Sequence, residues 1–175
     1  MPSFALAAIG RDRPGIVAAV ATVLFEQGCN VEDSSMTLLR GNFAMMLVLA
    51  SPPGTTRASL EAALRPACEE TGLTYDVLDV EDTAEVPHPS HVLTVYGADR
   101  PGILYRVSAA LAEEGVNITD LNSRLVGVDE PVYALLLELV LPDGLAADDL
   151  ERTLTGVASD IGVDFTLRVR EDDLL

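Results

Sequence analysis

The stretch Gly10-Arg11-Asp12-Arg13-Pro14-Gly15-Ile16 returns later in the chain as Gly97-Ala98-Asp99-Arg100-Pro101-Gly102-Ile103, with one residue changed. Its surroundings return in the same register. Val20, Leu24, Glu26, Gly28, Asn30 and Asp33 reappear as Val107, Leu111, Glu113, Gly115, Asn117 and Asp120, and no gap is needed. An ungapped match of this length marks an internal duplication. The 175 residues therefore read as two copies of one unit, 1–81 and 91–175, joined by an acidic linker at 82–90 that carries Pro87 and Pro89. A domain of this size buries only about 60% of its unfolded surface, so each copy is expected to lean on its twin.

Outward from the repeated turn, each copy gives the same string of elements. Ser3 to Ile9, and Val92 to Tyr96 in the second copy, are short apolar strands. The turn then leads into a helix of three to four turns, with Pro14 suited to the first helical position. Ile16, Val20 and Leu24 fall at helical spacing, as do Ile103, Val107 and Leu111. Gly28 and Gly115 stand where a left-handed residue ends a helix. Val31 to Arg40 and Ile118 to Val126 mix polar and apolar residues and read as edge strands, followed by hairpin turns at Gly41-Asn42 and 127–131. Phe43 to Ala50 and Val132 to Leu141 are almost continuously apolar. A strand with helices on only one face should alternate, so the second face of each sheet is expected to be covered, by the other copy or by another protomer.

A second helix follows in each copy, with Leu60, Leu64 and Cys68 on one apolar face and Leu150, Leu154 and Ala158 on the other. Pro66 is expected to kink or restart the first of these. Leu73 to Val80 and Val163 to Val169 close the units. The order strand–helix–strand–strand–helix–strand is the split βαβ, ferredoxin-like pattern of an α+β protein. It implies two antiparallel sheets with helices on one face, first and third strands central, and the second strand at an edge.

The turn has a definite chemistry. A glycine-flanked entry into a helix leaves backbone N–H groups unpaired, and with the helix dipole behind them they suit a carboxylate. Gly15 and Gly102 have no Cβ to hold a ligand away. Asn30 and Asn117 open the next strand with an amide that both donates and accepts, a combination suited to an amino acid. Asp12 and Asp99 either receive its ammonium or only shape the turn. Arg13 and Arg100 either serve the ligand or pair with neighbouring carboxylates on an acidic surface.

Composition narrows the function classes. The formal charge is −17, and all 11 basic residues are arginine. A field this negative repels phosphate backbones and acidic lipid, so neither direct nucleic-acid binding nor membrane association is expected. No apolar run approaches the roughly 20 residues of a membrane span, and the N-terminus lacks a basic signal-peptide start, which points to the cytoplasm. Cys29 and Cys68 read as buried small hydrophobes. His88 and His91, the only histidines, flank the linker without a third metal ligand in reach. Asp148-Asp149 and Asp172-Asp173 read as solvated acids. No catalytic constellation, metal site or cofactor is expected.

The Gly-x-Asp-Arg-Pro-Gly-Ile turn, a helix ending in Glu-x-Gly and an Asn-Val or Asn-Ile start to the next strand resemble the ACT domain, a small-molecule-sensing module of amino-acid metabolism. Two in tandem resemble the glycine cleavage system transcriptional repressor family, and the resemblance spans essentially the whole chain. It implies a non-enzymatic, homodimeric regulator with an amino-acid effector, such as glycine or serine, held where the turn of one copy meets the Asn-bearing strand of its neighbour. Residue by residue it implicates Asp12, Arg13, Pro14, Gly15, Ile16 and Asn30, with Asp99, Arg100, Pro101, Gly102, Ile103 and Asn117. The partner it implies is a protein, either a transcription factor or a metabolic enzyme. A detached regulatory subunit of a biosynthetic enzyme such as a phosphoserine phosphatase, or a purely structural dimerisation module, are the competing readings.

Overall fold

A computed structural model of the protein describes residues 1–80, 88–127 and 131–170. The chain divides into two compact units, Met1–Ala84 and Glu85–Leu175. The first contains β1 (Ser3–Arg11), α1 (Ile16–Glu26), β2 (Asn30–Leu39), β3 (Asn42–Ala50), α2 (Arg57–Thr71) and β4 (Thr74–Val80). The second contains β5 (His91–Ala98), α3 (Ile103–Glu113), β6 (Asn117–Val126), β7 (Val132–Val140), α4 (Ala147–Ile161) and β8 (Val163–Val169). Each forms a four-stranded antiparallel sheet, ordered β2-β3-β1-β4 and β6-β7-β5-β8. These are two α+β, ferredoxin-like units with the first and third strands central, as the pattern implied.

The period of two along the central strands decides which side chains meet the helices. Phe43, Met45, Leu47 and Leu49 of β3 point into the core with Phe4, Leu6 and Ala8 of β1, against Ile16, Val20 and Leu24 of α1 and Leu60 and Leu64 of α2. Leu135, Leu137 and Leu139 repeat this in the second unit against Val107, Leu111, Leu150 and Leu154. The alternate residues point to the side of each sheet away from its helices. On that side, Met46 is 51% exposed and Leu136 41%. Its residues on β1 and β3 in the first unit are mainly small, Ala5, Ala7, Ala44 and Val48, and each is half-buried among its strand neighbours.

Three local features refine the expected boundaries. The first hairpin turns at Arg40-Gly41, with φ of 50° and 78°, the left-handed pair that a two-residue turn requires. Asn42 already belongs to β3 and donates its amide to the Leu39 carbonyl at 3.1 Å. The helix α2 runs through Pro66 without a restart. Pro66 and Ala62, whose carbonyl loses its helical donor, are both exposed, so water can take that donor's place. Ser90 is sewn into the second sheet, its N–H donating to Leu139 at 2.8 Å and its carbonyl accepting from Arg170 at 2.9 Å. His91 is the first residue of β5 and meets the Ser90 hydroxyl at 2.9 Å through Nδ1. Linker residues 81–87, the hairpin at 128–130 and the acidic pair Asp172-Asp173 fall outside the described residues.

Both cysteines are free; Cys68 is buried and Cys29 half-buried, 3.2 Å from the Ser51 hydroxyl. Burial pushes the Cys68 thiol above its ordinary range, which starves it of the reactive thiolate. A thiol reagent on the native protein should therefore label Cys29 well before Cys68. The sheet register gives a second outcome. Leu49→Ala should cost about 2–5 kcal/mol and Met46→Ala less than about 1 kcal/mol, measured by denaturant unfolding.

Candidate functional site: the repeated turn

The turn is built from close approach at one end and backbone conformation at the other. Gly10 lies against the start of β4: a Cβ there would sit 2.9 Å from both the Gly72 carbonyl and the Leu73 side chain. Gly97 meets Val163 at the same distance. Asp12 then anchors the turn to the β2–β3 hairpin, its N–H donating to the Gly41 carbonyl at 3.0 Å. Gly15 is the N-cap of α1 with φ 94°, and Gly102 that of α3 with φ 98°. An L-residue held there costs about 1–2 kcal/mol, although a Cβ would meet nothing within 4 Å. Proline therefore stands ahead of the N-cap, and not at the first helical position as expected; Pro14 and Gly15 form the turn and the helix begins at Ile16.

The consequence is an open helix N-terminus, twice. The first helical bonds run from Ala19 N–H to the Gly15 carbonyl and from Arg106 N–H to Gly102, both 2.9 Å. No side chain caps either helix, and neither first turn holds an acid. The N–H groups of Ile16, Val17 and Ala18, and of Ile103, Leu104 and Tyr105, thus precede the helical ladder. The helix α2 shows the contrast: Thr56 accepts from the Ser59 N–H at 3.1 Å and Ser59 accepts from the Thr56 N–H at 3.0 Å, closing a capping box. The helix α4 lacks a side-chain cap but carries Asp148 and Asp149 in its first turn.

The candidate residues sort into different jobs. Asp12, Pro14, Gly15 and their counterparts Asp99, Pro101 and Gly102 are exposed. The Asp12 and Asp99 carboxylates make no hydrogen bond or ion pair among the described residues. Arg13 is exposed, and its guanidinium donates to the Glu70 carbonyl in the last turn of α2. It meets a helix C-terminus, where a cation is favoured, and not a carboxylate. Arg100 occupies the matching place, its Nη1 3.4 Å from where a Cβ on Gly162 would stand. Ile16 and Ile103 are buried, so only their backbone N–H groups are available to a ligand.

The asparagines are elsewhere. Asn30 pairs with Ala50, which in turn pairs with Ser3 at the start of β1. The turn follows Arg11, eight residues along that strand and hence about 26 Å away. Asn117 stands opposite Val140 at the corresponding end of the second sheet. Within a unit the turn and the asparagine lie at opposite ends of the sheet, and the turn adjoins the far end of β2, at Leu39 to Gly41.

Two features escaped the sequence reading. A groove of about 330 Å³ lies on the helix side of the first unit between α1 and β2, lined by Val17, Ala21, Ser34, Met36, Met45 and Leu47. A shallow hollow of about 440 Å³ occupies the sheet face away from the helices around Ala7, Ala44 and Met46. The groove's signal in β2 was Met36, an apolar residue in the polar run from Glu32 to Thr37. Among the described residues no group of three His, Cys, Asp or Glu side chains could hold a metal ion.

The geometry separates three substitutions on one turn. Gly15→Ala should cost about 1–2 kcal/mol through its backbone alone. Arg13→Ala should cost about 0.5–1.5 kcal/mol through the lost contact with the α2 terminus. Asp12→Ala should change stability by less than about 0.5 kcal/mol, all read from chemical unfolding.

Comparison with known proteins agrees with this architecture. Family models of the ACT domain match residues 4–78 and 91–151. A UPF0237 protein of Methanopyrus kandleri is 43% identical over 81 residues, covering 46% of this chain and 89% of that protein. The glycine cleavage system transcriptional repressor of Escherichia coli is 25% identical over 168 residues, covering 94% of this chain and 88% of the repressor. A phosphoserine phosphatase of Mycobacterium tuberculosis is 28% identical over 161 residues, 89% of this chain and 38% of the enzyme. The crystal structure of an unknown protein from Galdieria sulphuraria superposes with TM-score 0.84 at 26% identity, covering 97% of this chain and 99% of that one. With its duplicated fold matched in both halves, the chain belongs to the ACT-domain family.

Proposed function

We propose that the protein is a non-catalytic regulator that binds amino acids at its two Asp-Arg-Pro-Gly turns and passes that state to a partner protein. The observation that carries this reading is the pair of uncapped N-termini behind Gly15 and Gly102, each able to receive a carboxylate on backbone N–H groups. Asp12 and Asp99, without hydrogen-bond or ion-pair partners among the described residues, supply the counter-charge for the ammonium. Asn30 and Asn117 lie too far from the turn of their own unit to complete its site. In this reading each completes a site with the turn of another copy of the fold, in a homodimer. Glycine or serine is the ligand type that the family resemblance suggests.

Transcriptional control of amino-acid metabolism is the role proposed, supported by the Escherichia coli repressor's match along nearly the whole chain. With a formal charge of −17, the effect on DNA runs through a second, DNA-binding protein in the cytoplasm. Ligand acts by binding one arrangement of the units more tightly than another. The match to the Mycobacterium tuberculosis phosphatase favours one alternative, a regulatory subunit acting on a separate biosynthetic enzyme. Affinity capture separates the two by retrieving a transcription factor or an enzyme.

Calorimetric titration of the full chain with the common amino acids tests the sensor reading. At least one should bind, and the double variant Asn30→Ala, Asn117→Ala should weaken it by about tenfold or more, the worth of a lost hydrogen bond to a charged group. No binding by any amino acid to folded protein would contradict it.

A further inference from the structure

The two copies share a turn but not the surface beside it. In the first unit, the α1–β2 groove of about 330 Å³ begins at Val17, the second residue of α1 and one of the three whose N–H groups precede the helical ladder. Ala21, one turn further on, continues the same stripe. Met36 pairs with Met45 and Ser34 with Leu47, so the floor of the groove follows the strands away from the turn. The walls are aliphatic apart from the Ser34 and Ser35 residues. Met36 is 53% exposed and Val17 49%: apolar surface left bare beside a polar anchor. The volume is at the lower end for small-molecule sites and far exceeds what the hydrogen of glycine or the hydroxymethyl of serine would fill.

In the second copy the corresponding positions change character. The shift from Gly10 to Gly97 carries Val17, Ala21, Ser34 and Met36 onto Leu104, Ser108, Leu121 and Ser123. Larger aliphatic residues replace Val17 and Ser34, and hydroxyls replace Ala21 and Met36. Aliphatic breadth beside one turn is exchanged for bulk and polarity beside the other.

We propose that the first turn selects an amino acid with a long apolar side chain, of the methionine or leucine type, laid into the α1–β2 groove, while the second turn takes a small one. This rests on the reading that the ligand's carboxylate is held at the turn. Carboxylate and ammonium are recognised alike in both copies, and the groove sets the side-chain class.

The test is calorimetric titration of the full chain with L-methionine, L-leucine, glycine and L-serine, repeated on Ala21→Leu and Thr22→Ala. Ala21 is exposed and leucine is a good helix former, so Ala21→Leu should fill the groove and keep the wild-type melting temperature. Methionine or leucine should bind one site per chain about 10- to 100-fold more tightly than glycine does at that site. Ala21→Leu should abolish that binding and spare glycine or serine binding at the other turn; Thr22→Ala should change neither. Binding of glycine or serine alone, equal affinities for all four, or methionine binding that survives Ala21→Leu would overturn the proposal while leaving the turn reading intact. Methionine binding unaltered while Ala21→Leu changes only the sedimentation coefficient would show the groove to be covered by a second copy, and would overturn it too. Failure of every amino acid to bind would remove both readings together.

Discussion

The architecture depends on a backbone constraint at the entry of the first helix in each unit. Gly15 and Gly102 hold φ near 95°, which sets the direction in which the chain leaves the central strand and enters the helix. Because the N-cap is glycine, it has no side chain to satisfy the N–H groups it exposes. The same residue that permits the turn thereby leaves the helix end open. Elsewhere the chain spends polar side chains on its helix ends, with Thr56 and Ser59 at the start of α2 and Arg13 at its finish. The starts of α1 and α3 thus leave backbone N–H groups to solvent, with neither a side-chain cap nor an acid in the first turn.

Duplication supplied two copies of that constraint and let the surroundings diverge. The inner cores are equivalent, built on Leu47 and Leu49 in one copy and Leu137 and Leu139 in the other. The sheet faces away from the helices are not: Val48 of the first sheet corresponds to Glu138 of the second, which lies 3.6 Å from Arg170 in an ion pair. A partly exposed pair of this kind contributes little to stability, but it makes the second face less apolar than the first. The units are thus alike in their cores and unlike on the sides of their sheets away from the helices.

Much of this was legible in the residues. The repeat of Gly10 to Ile16 at Gly97 to Ile103 exposed the duplication, and helical and strand periods then ordered the twelve elements within one or two residues at most ends. The role of Arg13 was not legible, because its partner is a backbone carbonyl on α2, distant in sequence and carrying no charge of its own. Pro66 does not restart α2, because its cost depends on whether the orphaned carbonyl meets water, which is set by which side of α2 faces the core. The continuous apolarity of β3 has two parts: Met45, Leu47 and Leu49 face the helices of their own unit, and the residues between them face the other way. Ala44 and Val48 are small and half-buried among their strand neighbours on that second side. Asn30 and the turn look close in the sequence, but a helix and the length of a strand carry them to opposite ends of the sheet.

The central claim is that backbone N–H groups of α1 and α3 receive an amino acid's carboxylate. Amide chemical-shift mapping of the isotope-labelled protein tests it directly, residue by residue. On saturation with a binding amino acid, the amides of Ile16, Val17 and Ala18, or of Ile103, Leu104 and Tyr105, should show the largest shifts. The capped amide of Ser59 should stay in place. Largest shifts on the sheet face away from the helices around Met46 and Ala44, with the helix-start amides unmoved, would contradict the account.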